Sequence, residues 1–157
     1  MKLKALIAVT MFENKFAVGT ETGLPWHCPE DLKDFRNKTL GEICIVSLKT
    51  LVTIPNALVG RTVIALSSDP TKYEFDLSQN PHVHVVTDKE KTLETIKNIK
   101  KPDNKVYVIG GPKIYNLFED LIVEADVSLI PDKYVREIPT VFIDRLPSKV
   151  NNINLFN

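Results

Sequence analysis

Charge of one sign, long apolar runs, metal-spaced cysteines and histidines, and internal repeats are all missing from this sequence. Twenty basic and twenty acidic residues cancel to a formal net charge of zero, so bulk electrostatics favour neither nucleic acid nor an anionic membrane. Apolar runs such as Val63-Ile64-Ala65-Leu66 fall far short of the ~20 residues needed to span a bilayer. Met1-Lys2-Leu3-Lys4 runs straight into a predicted strand and carries no signal-peptide cleavage pattern. Cys28 and Cys44 have no metal or redox spacing and read as reduced thiols of a cytoplasmic protein. His27, His82 and His84 lack ligand spacing too, so no metal is expected. With no linker or low-complexity tract, residues 1–157 read as one domain, large enough to bury a core without disulfide staples.

The pattern along the chain is that of an α/β protein. Leu3 to Val9 reads as a first strand, and Thr10 to Leu24 as a long polar loop ending at Pro25-Trp26. Pro29 opens a helix, with Glu30 and Asp31 suited to the positive end of its dipole. Ile43 to Val46 and Thr62 to Leu66 are short apolar runs of the kind buried on both faces of a parallel sheet. His82 to Val86 reads as a strand, and Thr87 with Glu90 as a capping box opening a helix that carries Leu93, Ile96 and Ile99. Val106 to Ile109 is a buried strand stopping at Gly110-Gly111. Beyond it, Ile114, Leu117, Phe118 and Leu121 recur at helical spacing, and Val127 to Ile130 is a further strand. Strands alternating with helices predict a mainly parallel central sheet with flanking helices.

Three places could carry chemistry. Within and just after Pro25-Trp26-His27-Cys28-Pro29-Glu30-Asp31-Leu32, Asp31 and Phe35 are four apart and Leu32 and Phe35 three apart, so Asp31 shares a helix face with apolar side chains. A carboxylate in such a setting could bind the protonatable edge of a heterocycle, or it could merely complement the helix N-terminus. Trp26, the only tryptophan, could equally be core filling. Ile109-Gly110-Gly111-Pro112-Lys113 joins a buried strand to a helix start, an arrangement that cradles a phosphate or is only a turn. It lacks the three-glycine dinucleotide fingerprint. Arg61, after Gly60, could clamp a carboxylate bidentately or be a solvated surface arginine.

In order and spacing these elements resemble the dihydrofolate reductase family. The resemblance rests on Gly23-Leu24-Pro25-Trp26, Pro29-Glu30-Asp31-Leu32, Phe35, Gly60-Arg61, and Ile109-Gly110-Gly111 with Tyr115, and it covers residues 3 to 142. It implies reduction of 7,8-dihydrofolate to tetrahydrofolate by hydride transfer from NADPH. Asp31 and Trp26 would be catalytic, Asp31 holding the pterin ring and Trp26 an ordered water. Ala8, Leu32, Phe35, Ile54 and Ile109 would line the substrate, and Arg61 would hold its glutamate carboxylate. Val18 and Gly19, on a mobile lid, would join Lys49, Thr50, Ser67 and Ser68 at the cofactor. Gly110, Gly111, Pro112, Lys113, Ile114 and Tyr115 would complete that cofactor site.

The sequence also departs from the family. In Ser47-Leu48-Lys49-Thr50, Leu48 stands where the family has an arginine for the 2′-phosphate, so NADH use is left open. Lys49, Ser67, Ser68 and Lys113 remain as substitutes. A family threonine near the pterin is matched by Ile130. Only 15 residues follow Phe142, so the family's long C-terminal hairpin is expected to be shortened or missing. The exposed sheet edge would then be trimmed, covered by a rearranged tail, or paired with another chain. A monomer is expected, with a dimer through that edge as the alternative. Two other functions stay open: a folate- or nucleotide-binding protein of this fold with little catalysis, and a related pterin or pyrimidine reductase.

Overall fold

The computed structural model describes residues 1–156. Its nine strands are β1 Leu3–Phe12, β2 Lys15–Gly19, β3 Ile43–Ser47, β4 Thr62–Leu66, β5 Val83–Val86, β6 Val106–Gly110, β7 Ile122–Leu129, β8 Val141–Ile143 and β9 Val150–Leu155. Its α-helices are α1 Pro29–Thr39, α2 Leu48–Leu51, α3 Lys89–Ile99 and α4 Pro112–Phe118. Strands β5, β4, β3, β6 and β1 lie side by side in parallel, and β7 runs parallel along the other side of β1. This is the mixed α/β sheet with flanking helices that the alternation predicts.

Alternation along the strands sorts the core into two layers. Leu3, Ala5, Ile7 and Val9 of β1, with Ile43 and Ile45 of β3, face the layer holding Ile96 of α3 and Ile114 and Phe118 of α4. Cys44 and Val46 of β3 face the opposite layer, with Leu48 and Leu51 of α2 and the half-buried Phe35 of α1. Phe118 and Ile96 are fully buried, and each such side chain stabilises the fold by about 1.5–3 kcal/mol.

Two local expectations need correction. The segment read as a loop from Thr10 begins as strand, because β1 continues to Phe12 and turns back through Glu13-Asn14 into β2. Both turn residues take positive φ, 50° and 62°, as a tight two-residue hairpin requires. The cap of α3 is Asp88, whose carboxylate accepts from the Lys91 amide at 2.8 Å, rather than Thr87. Two acceptor-bearing residues stand side by side there, and the one nearer the helix wins.

The tail is rearranged. β8 pairs antiparallel with β2, and β9 runs parallel to β7 from Ala125↔Val150 to Leu129↔Leu155. The far side of β7 is thus covered by the chain's own last strand.

Candidate active site

A cleft of about 1260 Å³ runs between the C-terminal ends of the parallel strands, α1 and the loops around them. Every residue that the sequence singled out for substrate or cofactor lies on its wall, from Ala8, Val18 and Gly19 through Trp26 and Asp31 to Tyr115.

At one end stands Asp31. Pro29 at the first helical position and Cys28 as the cap start α1 so that Asp31 falls in its first turn. The residue is 7% exposed, and the Ser128 hydroxyl of β7 is its nearest polar influence. Burial pushes its carboxyl above the ordinary range, and Asp34 adds to this. Ser128 and Lys38 pull the other way, and burial wins. Beside it, Leu32 is 45% exposed although apolar, so it presents a bare hydrocarbon surface within the cleft.

Trp26 is buried against Cys28 and Ile130. Its segment is stapled to the loop after β7: the His27 amide donates to the Tyr134 carbonyl at 3.0 Å, and the Arg136 amide to the Pro25 carbonyl at 2.7 Å. The indole Nε1 is buried without a partner among the described residues. An unmet buried donor costs about 1–3 kcal/mol, and an oxygen in the cleft would satisfy it.

Arg61 is held rather than free. Its Nε donates to Leu58 O at 3.1 Å, Nη2 to Val59 O at 2.8 Å and Nη1 to the Thr39 hydroxyl at 3.2 Å. A guanidinium has five N–H donors, so two remain for a ligand. These bonds brace the turn in which Asn56, Ala57 and Leu58 all take positive φ, and the His82 ring joins them through Ala57 O at 2.7 Å. Ile54 opens that turn and lines the cleft.

At the other end, β6 meets α4 at Gly110 and Gly111. Gly110 has φ of 136°, where a side chain would be strained, and a Cβ on Gly111 would lie 3.4 Å from the Thr50 hydroxyl. Beneath them the buried Tyr115 hydroxyl bridges the carbonyls of Leu6 at 2.6 Å and Ile109 at 2.8 Å, which fixes the ring. Burial drives that phenol far above its ordinary range, so it stays protonated. Lys49 and Lys113 are exposed, and Lys49 Nζ sits 3.6 Å from Glu21.

Residues 5–142 match the dihydrofolate reductase family. The chain belongs to that family. A type 9 dihydrofolate reductase of Escherichia coli is 29% identical over 143 residues, covering 79% of this chain and 78% of that one. The dihydrofolate reductase of Mycoplasma genitalium is also 29% identical, over 132 residues, covering 82% of this chain and 78% of that protein. A Staphylococcus aureus dihydrofolate reductase is 25% identical over 117 residues, covering 74% and 65%.

In this member of the dihydrofolate reductase family the wall at Gly110, Gly111 and Thr50 carries little side-chain bulk. The bare backbone admits close approach, with the Ser67 and Ser68 hydroxyls and the two lysines farther along the cleft. Ser128 of β7 neighbours the Asp31 carboxylate, while Ile130 packs with Trp26. Leu48 is 1% exposed in the core, so a side chain there does not face the cleft. Sequence reading also missed Lys38, Asp126 and Asn154 at the Asp31 end and Thr87, Asp88 and Lys89 at the other, all on the cleft wall. Lys38 lies in the last turn of α1, Asp126 and Asn154 come in through long-range strand pairing, and Thr87, Asp88 and Lys89 come in at the start of α3.

Proposed function

We propose that the chain reduces 7,8-dihydrofolate to 5,6,7,8-tetrahydrofolate with NADPH as hydride donor. The observation that carries this is Asp31: a buried carboxylate, anchored by Ser128, with apolar Leu32 beside it and the unmet Trp26 donor on the same cleft wall.

Bound reduced nicotinamide supplies the hydride that goes to the pterin carbon. Asp31 accepts hydrogen bonds from the ring amide and amino group, which favours protonation of the neighbouring imine nitrogen. A carboxyl already raised by burial suits that task near neutral pH. Trp26 Nε1 holds the water that delivers the proton. Ala8, Leu32, Phe35, Ile54 and Ile109 exclude bulk water from the ring and the benzoyl group, and Arg61 uses its two remaining donors on the glutamate carboxylate. Val18 and Gly19, at the end of β2, close over the nicotinamide.

Discrimination between NADPH and NADH is weak in this reading. The support is that Leu48 lies in the core and that the lysines left for a 2′-phosphate are exposed, one of them beside Glu21. The chain works as a cytoplasmic monomer, a view supported by its buried, unpaired thiols and by β9 along the β7 edge. No described helix is long and apolar enough to cross a membrane.

The test is the loss of absorbance when purified protein is mixed with dihydrofolate and NADPH, repeated with NADH. Rapid turnover with either cofactor supports the assignment. Tight folate binding without turnover would favour the binding-protein alternative.

A further inference from the structure

The strand β9, residues 150–155, lies wholly outside the family match, which ends at residue 142. It nonetheless reaches the polar groups behind Asp31. Asn154 Nδ2 donates to Asp126 Oδ1 at 3.0 Å and, by a longer bond of 3.4 Å, to Ser128 Oγ. Asn152 Nδ2 donates to the same Asp126 oxygen at 2.8 Å and to Asn154 Oδ1 at 3.1 Å. The other Asp126 oxygen takes Lys38 Nζ at 2.6 Å, and Lys38 also holds Asp34 at 2.8 Å. Past Asn154, Phe156 packs on the Trp26 cluster.

The chemistry fixes the direction of this chain of bonds. An ionised Asp126 only accepts, so both amide nitrogens must turn toward it. With Asn154 donating to its oxygen, the Ser128 hydroxyl is steered to spend its single proton on Asp31. With both amides and Lys38 on Asp126, that carboxylate is neutralised and immobile, and Lys38 stays where it also stabilises Asp31. Burial works against the Lys38 charge, but Asp126 and Asp34 together hold its ammonium above the ordinary range.

We propose that Asn154 is a positioning residue for the reactive carboxylate of Asp31, acting through Ser128 and Asp126. The last strand thereby completes a site that the family match leaves open. This rests on Asp31 being the reactive carboxylate, as argued above. The charged groups around Asp31 are Asp34 and Lys38 on its own helix and Asp126 on β7, with Ser128 its partner on that strand. β9 contributes amides and aliphatic side chains and no charge.

The test reads Asp31 in the ligand-free protein, so its failure is separable from a failure to reduce dihydrofolate. Protein labelled with carbon-13 at the aspartate carboxyls is titrated by NMR, and the Asp31 signal is identified by its loss in Asp31→Asn. Asn154→Ala should move the Asp31 midpoint to higher pH, because the serine proton is no longer steered. Asn154→Asp should move it further, by setting a second carboxylate against Asp126. Asn152→Ala, at an exposed position, should give a smaller shift in the same direction. Ile153→Ala, on the same strand and 53% exposed, should leave it unchanged. In the dihydrofolate assay, the pH at which turnover halves should rise in the same order. An unmoved midpoint in both Asn154 variants would overturn the proposal, as would an equal shift in Ile153→Ala.

Discussion

At the Asp31 end of the cleft the polar groups other than the Trp26 indole N–H are sheltered and partnered before any ligand arrives, whereas at the Lys49 and Lys113 end they are exposed and loosely held. Asp31 leans on Ser128, and Arg61 already donates to Leu58, Val59 and Thr39. Lys49 and Glu21, by contrast, are 63% and 69% exposed at 3.6 Å. A preorganised group gives up little freedom on binding, so it contributes more and is screened less. The substrate end should therefore set rate and specificity, and the cofactor end should tolerate change.

The largest expected effect is at Asp31. Asp31→Asn should lower turnover by roughly 10²- to 10⁴-fold, the usual range for removing a proton-handling group. Stability should move the opposite way. Burial holds this carboxyl above its ordinary range, so the associated stability is complete at low pH and is lost as the pH rises through the folded-state value. Thermal melts should show Asp31→Asn above the wild type near neutral pH, with the gap closing in acid. A variant that melts lower at every pH would mean that this end is not strained by its charge.

A smaller loss is expected from Arg61→Leu. Removing a charge-assisted bond of about 1.5–3 kcal/mol should weaken folates bearing a glutamate tail by roughly tenfold to a hundredfold. Binding of pterins without the tail should hardly change. Because the guanidinium also braces the turn at Asn56–Leu58, equal weakening for both ligands would show that bracing is its main role.

The smallest effect should come from the cofactor end. Exposed ion pairs contribute about 0.2–1 kcal/mol, so Lys49→Ala should weaken NADPH by no more than roughly fivefold. NADH should be unaffected, and the difference should fade as salt rises. Dissociation constants at two ionic strengths check this. A hundredfold, salt-insensitive loss would break the contrast between the two ends.

The same contrast separates what was legible in the sequence from what was not. Helix α1 announces itself through Pro29 and its acidic first turn, and the buried strands through short β-branched runs. Helix α1 carries Asp31, Leu32 and Phe35, and Trp26 stands just before it, so the substrate end could be read directly. The β1–β2 hairpin was missed because it turns on Glu13-Asn14 without a glycine. The surroundings of Asp31 were hidden for another reason. Ser128, Asp126 and Asn154 meet through parallel pairing of β7 with β1 and β9, and parallel pairing leaves no turn signal between partners. Leu48 shows the limit of matching by position alone, since a residue aligned with a ligand-facing one can point into the core.

The placement of β1 has a consequence for how the molecule is made. Its flanking partners are β6 and β7, so Leu3, Ala5, Ile7 and Val9 wait for residues 106–129. At a synthesis rate of about 5–20 residues per second, that delay is on the order of 6–25 s. The Leu3–Val9 stretch of β1 is thus made well before the strands that flank it, and its apolar side chains stay available to chaperones or to neighbouring chains throughout the interval. Slowing translation should raise aggregation of this chain more than that of a protein whose central strand is flanked by strands that follow it directly in sequence.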